Sequence, residues 1–415
     1  MISGKGRILP FLLLLLTSCA SRTAGETDDS ATTYKSENDF TAEASAWVDS
    51  VYSRMTQEQR LAQMLMPAVF TRSDAASMAQ LHWYAEEIRV GGILLLKGNV
   101  DAAMAIADTL QAVRDRLPDS PGTFLALDAE TGLGMRFRDA PLFPWNSTIN
   151  KSVDDQTFYD YGREVGREAR LAGINMILGP VVDINRDVVY GGSVMRRRSL
   201  GSDQLRVADL SLAYAKGLES QGVASVSKHF PGHGPTATDS HNLLPVITAS
   251  KDELYTVDLM PFRTVAKNNL AGIMVGHIWA EALDSVRRPA SFSPVIMTDL
   301  LRKEMEFQGL ILVDAVGMGG AKGFTGADAI IAGADIIIAP PDTEKELALL
   351  LEAARDGRLS QQRIEETCKR ILFVKYSFYV NSDRRLEDET PDDKIKERLY
   401  EEAPGIINRL YGINP

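Results

Sequence analysis

Gly309-Leu310-Ile311-Leu312-Val313-Asp314 sets four apolar residues in unbroken succession between a glycine and an aspartate. A strand with one wet face would alternate apolar and polar residues; this one does not, so both its faces should be buried, as in a parallel sheet. Seven other runs read the same way: 63–69, 92–96, 123–127, 175–178, 224–227, 272–275 and 335–339. Longer stretches with room for helices separate them, at 73–89, 100–116, 154–172, 205–221, 254–268, 294–305 and 325–332. Eight strand-like runs alternating with helical ones predict an α/β fold, a (β/α)8 TIM-type barrel. A doubly wound open sheet is the alternative, but no G-x-G-x-x-G follows the first run.

The chain has 415 residues, 45% hydrophobic and 24% charged, which excludes collagen-like, disordered and multi-span membrane classes. A formal net charge of -11 opposes nucleic acid as a partner. Two cysteines and five histidines are too few for a cysteine-rich metal site or a disulfide framework. Lys5 and Arg7 precede an apolar run over 8–16, far shorter than the roughly 20 residues that span a bilayer. That pattern reads as a signal peptide. Its end, Leu16-Thr17-Ser18-Cys19, resembles a bacterial lipoprotein box, which implies cleavage after residue 18 and lipidation of Cys19. The expected organisation is a signal peptide over 1–18 and a flexible polar tether over 19–40. A single catalytic barrel over 41–380 then precedes a linker and short helical tail over 381–415, with helices near 392–402 and 405–410. The mature protein would be exported, with a lipid anchor in a bacterial membrane at the periplasmic side or cell surface, and monomeric.

Barrel enzymes gather their active sites at the C-terminal ends of the strands. Asp128 and Glu130 follow the third run, Asp183 the fourth, Lys228 and His229 the fifth, His277 the sixth and Asp314 the seventh. Three histidines crowd into Lys228-His229-Phe230-Pro231-Gly232-His233-Gly234 and Asp239-Ser240-His241. Metal ligation is one reading of such density, but there is no H-E-x-x-H, and Pro231, Gly232 and Gly234 disfavour the helix it needs. No metal or cofactor is expected. An aspartate two residues from a histidine can instead orient the imidazole for acid–base work.

These segments resemble family 3 glycoside hydrolases, in the β-N-acetylglucosaminidase branch, over roughly residues 50 to 380. The histidine segment carries the family's signature. Asp128, Glu130 and Arg136 keep the spacing of its D-x-E-G-G-x-V-x-R element, Arg198-Ser199-Leu200-Gly201 resembles its R-S-F-G turn, and 309–314 resembles its nucleophile strand. The resemblance implies a retaining glycosidase acting on terminal β-linked N-acetylglucosamine, with Asp314 as nucleophile, His241 as general acid/base and Asp239 as its orienting partner. It further implies that Asp128, Arg136, Arg198, Lys228 and His229 hold the hydroxyls of a carbohydrate substrate, such as a peptidoglycan fragment. His233 and His277 fall to loop packing and the site wall. The chain departs from the family at Gly132-Leu133-Gly134-Met135, and Arg198 is chosen from three successive arginines, Arg196 to Arg198. A β-glucosidase-like enzyme, a phosphorolytic one and a non-catalytic sugar-binding lipoprotein are the alternatives.

Overall fold

The computed structural model describes residues 37–117, 119–186, 195–236, 243–380 and 394–413. Cys19, Asp239 and His241 lie outside them. Eleven short strands occur among the described residues: β1 (Leu65–Met66), β2 (Ala68–Val69), β3 (Gly92–Leu95), β4 (Phe124–Leu127), β5 (Met176–Ile177), β6 (Ala224–Phe230), β7 (Val246–Ile247), β8 (Gly272–Val275), β9 (Trp279–Ala280), β10 (Leu310–Val313) and β11 (Ile336–Ile338). Nine form one sheet in the order β1-β11-β10-β8-β6-β5-β4-β3-β2, every pair parallel. The nearly closed α/β barrel expected from the apolar runs is what the chain forms.

The first run supplies both edges. Pro67 interrupts it, as a residue with no N–H to give a ladder would. Leu65 and Met66 on one side of Pro67 pair with Ile337 and Ile338 of the last strand, and Ala68 and Val69 on the other pair with Leu94 and Leu95 of β3. Strands β3, β4, β8 and β10 are buried at every position, which explains why their sequences do not alternate.

Helices fill the expected stretches, including Val100–Arg116, Asp155–Leu171, Gln204–Ser220 and Gly326–Ala332. Three differences are informative. The helix Glu37–Arg54 takes in the last residues of the expected tether, because Val48, Val51 and Met55 pack with Cys368 and Leu372 of the helix Gln361–Lys375. Strand β6 runs three residues past its apolar run, through Lys228 and His229, whose polar groups find buried partners. The first tail helix, Ile395–Leu399, is shorter than the expected 392–402 and the second, Ala403–Leu410, longer than 405–410, and both dock on a barrel helix. There Arg167 donates to the Arg398 carbonyl (3.1 Å) and Arg409 meets Asp160 (3.0 Å), both on the helix Asp155–Leu171.

Candidate active site

The strand ends bring one interlocked charge cluster to the mouth of the barrel. Lys228, in β6, is 2% exposed, and its Nζ lies 2.6 Å from Asp128 Oδ1 and 3.0 Å from Glu130 Oε1, both beyond β4. Arg136 closes on the other oxygen of Asp128 at 2.7 Å. Arg198 takes Glu130 with both arms of its guanidinium, Nε to Oε2 at 2.9 Å and Nη2 to Oε1 at 2.7 Å. Burial alone would raise the pKa of these two carboxyls. Lys228 and Arg136 together outweigh it for Asp128, and Lys228 with Arg198 for Glu130, so both stay below the usual carboxylate range. The carboxylates hold the Lys228 and Arg198 pKa up in return, against the pull of burial.

The loop after β4 can present Arg136 because of two glycines. Gly132 has φ +73°, and a Cβ there would meet the Phe143 ring at 2.4 Å. A Cβ on Gly134 would meet the Pro141 carbonyl oxygen at 2.5 Å, where the Gly134 N–H now donates at 2.9 Å. In the D-x-E-G-G-x-V-x-R spacing Gly132 stands at the second glycine, Thr131 replaces the first, and Gly134 at the valine position keeps the turn tight.

Asp183, beyond β5, anchors the histidine segment. Its fully buried carboxylate accepts from His229 Nδ1 at 2.7 Å, from the His229 N–H at 3.2 Å and from the His233 N–H at 2.6 Å. Against burial, the His229 and His233 imidazoles hold Asp183 below its ordinary pKa. His229 Nε2 faces Arg198 Nη2 at 3.2 Å. A guanidinium only donates, so Nε2 accepts there and the Nδ1 proton goes to Asp183. The register between β6 and β8 slips between Lys228 and Phe230, which leaves His229 without a partner across the ladder and aims its side chain by the slip.

Asp314 follows β10, and its own N–H bonds the Val275 carbonyl of β8 at 3.0 Å. Oδ1 accepts from the Ala315 N–H at 2.8 Å, and Oδ2 has no protein donor among the described residues. Burial would push this carboxyl up; the imidazoles of His229 and His277, the Ala315 N–H and Lys228 bring it below its ordinary pKa. It is thus ionised at neutral pH with one oxygen free for an electrophile. His277 bonds Ser291 Oγ through Nδ1 (2.6 Å) and the Ala315 carbonyl through Nε2 (3.0 Å). Burial drives His233 and His277 towards the uncharged form, His233 to a pKa of about 4.

Of the residues singled out in the sequence, Asp128, Arg136, Arg198, Lys228, His229 and Asp314 come together in this mouth. Arg197, by contrast, lies over the Trp145 ring at 4.8 Å. Two residues that hold the cluster together carry no role in the sequence reading: Glu130, which figures there as a polar strand-end residue and a motif position, and Asp183, which figures only as a polar residue beyond a strand. Their signal was there: Glu130 lies two residues beyond Asp128, and Asp183 is an acidic residue next to an apolar stretch that offers it no water. Among the described residues no group of three His, Cys, Asp or Glu side chains is placed to hold a metal ion.

Several known proteins are similar to this chain. β-Hexosaminidase A of Pseudoalteromonas piscicida is 32% identical over 69% of this chain and 53% of its own. The β-hexosaminidase of Neisseria meningitidis serogroup B is 32% identical over 62% of this chain and 74% of its own. The chain thus spans about half the length of the first relative and three quarters of the second. A family 3 β-N-acetylglucosaminidase from a Paenibacillus species superposes with a TM-score of 0.73 at 27% identity, over 83% of this chain and 68% of that one. Residues 56–374 match the glycosyl hydrolase family 3 N terminal domain, and the chain belongs to that family.

Proposed function

We propose that the protein is a retaining, exo-acting β-N-acetylglucosaminidase that removes terminal β-linked N-acetylhexosamine from peptidoglycan fragments or related glycans. The observation that carries this reading is Asp314, an ionised carboxylate with a free oxygen at a strand end, beside a cluster of paired acids and bases. The names of the β-hexosaminidase relatives point the same way.

The chemistry follows from the groups present. Asp128 supplies an acceptor and Arg136, Arg198 and Lys228 supply donors around the mouth, with His229 beside them, which suits the vicinal hydroxyls of one sugar ring. Asp314 attacks the anomeric carbon while the bond to the leaving oxygen breaks and His241 delivers a proton to that oxygen. The product is a glycosyl ester on Asp314. His241 then takes a proton from water, the water oxygen bonds the anomeric carbon, and the ester bond returns its electrons to Asp314. Histidine suits both steps because its reference pKa of about 6.5 allows donation and acceptance near neutrality. Asp239, two residues away in sequence, holds the imidazole in the productive tautomer. The Asp239 and His241 roles rest on the family motif, as does the Cys19 lipid anchor on the box that precedes it, with the enzyme held at a bacterial membrane on its exported side.

A panel of aryl β-glycosides tests the substrate. The N-acetylglucosaminide should be turned over fastest; faster turnover of the glucoside or xyloside would refute the assignment.

A further inference from the structure

Three near-parallel rings run from beside the nucleophile to the surface. His277, fully buried, bonds the carbonyl of Ala315, whose N–H holds Asp314. Its ring lies 5.8 Å from that of Phe292 at an interplanar angle of 5°, and Phe292 lies 4.5 Å from Phe324 at 12°. Phe292 is 4% exposed, but Phe324 is 37% exposed. Its backbone is fixed on both sides. The Phe324 N–H bonds the Ala321 carbonyl at 3.1 Å, and the next residue, Thr325, forms a capping box with Asp328 at the start of the helix Gly326–Ala332. A large apolar ring held this rigidly yet left open to water is spent on neither the core nor the chemistry described above.

We propose that Phe324 is the platform on which the leaving sugar of the substrate stacks, so that it selects for a carbohydrate rather than a small leaving group. The inference rests on the glycosidase reading. Asp314 attacks from one face of the sugar and the leaving group departs from the other, and Phe324 lies on the same loop as Asp314, between the end of β10 and the helix Gly326–Ala332, where barrel enzymes build their sites. A β-linked pyranose carries axial C–H bonds on its faces, an apolar surface that matches an aromatic face. Because cap and stack already order Phe324, little side-chain freedom is lost on binding.

The test compares two substrates with the same glycosyl group: the β-1,4-linked disaccharide of N-acetylglucosamine, and β-N-acetylglucosaminyl fluoride, which has no leaving ring. Phe324→Ala should lower kcat/KM on the disaccharide roughly three- to tenfold, the range of one aromatic contact, and change the fluoride by less than about twofold. Phe324→Trp should retain disaccharide turnover, with Tm of each variant read in parallel to verify folding. An equal fall on both substrates would make Phe324 a prop for His277, and an unchanged disaccharide rate would remove its role; either overturns the proposal. Should the wild type cleave neither substrate, the glycosidase reading itself fails, a result distinct from these.

Discussion

Lys228→Met removes one buried ammonium while keeping the length and apolar stem of the side chain. The two carboxylates it bridges, Asp128 at 2.6 Å and Glu130 at 3.0 Å, then face each other across the vacated position. Stripping one partner from a buried ion pair costs about 3–5 kcal/mol when the charge left behind has no other partner. Here Asp128 keeps Arg136 and Glu130 keeps Arg198, so the loss belongs at the low end, about 3 kcal/mol near neutral pH. At roughly 2 °C per kcal/mol for a large domain, Tm should fall by about 6 °C. The pH dependence gives a sharper signature. Both carboxyls have folded pKa values below their unfolded ones, so the stability they contribute is present above the unfolded value, about 4, and is lost as pH falls through the folded value. Without Lys228 those folded values rise and part of that contribution disappears. The gap between wild type and variant should be widest near pH 7 and shrink below about pH 4, as the carboxyls of both become protonated. Calorimetric scans at both ends of that range decide it. Equal Tm values at pH 7, or a gap that widens on acidification, would refute an interlocked cluster in which Lys228 neutralises two buried acids.

His241→Ala should cut kcat/KM for a disaccharide by roughly 10²–10⁴, the worth of a general acid. It should spare a dinitrophenyl glycoside in that parameter while slowing the second step enough to show a burst of phenol; equal losses with no burst would make His241 a binding residue. Cys19→Ser should abolish incorporation of radiolabelled fatty acid, and label that persists in the variant would dismiss the anchor.

Fold and site were legible to different depths. The barrel showed in the sequence because parallel strands buried on both faces leave continuous apolar runs, and 272–275 and 310–313 match β8 and β10 residue for residue. Legibility failed where polar residues are buried. Strand β6 was cut short at Ser227 because Lys228 reads as a surface residue until Asp128 and Glu130, about a hundred positions away in the chain, are known to neutralise it. The same long-range pairing hid Glu130 and Asp183, since nothing local distinguishes a carboxylate that anchors three polar groups from one that caps a loop. The helix Glu37–Arg54 was obscured for a related reason: its apolar face is matched by Cys368 and Leu372, more than three hundred residues on. Arg198 could be picked from its two neighbours only by a motif, whereas in space its guanidinium alone among the three is seen to clasp Glu130.

The mechanism proposed for Asp314 requires a covalent bond between its carboxylate and the sugar. An activated 5-fluoro β-N-acetylglucosaminide should trap that ester, because fluorine slows both its formation and its hydrolysis while the activated leaving group restores the rate of formation alone. Peptide mapping by mass spectrometry then locates the added sugar. One glycosyl group per chain is expected on the peptide containing Asp314, and none in Asp314→Asn, whose melting temperature should remain close to that of the wild type. Label on the peptide carrying Asp128 or Asp183, or full turnover by Asp314→Asn, would contradict it.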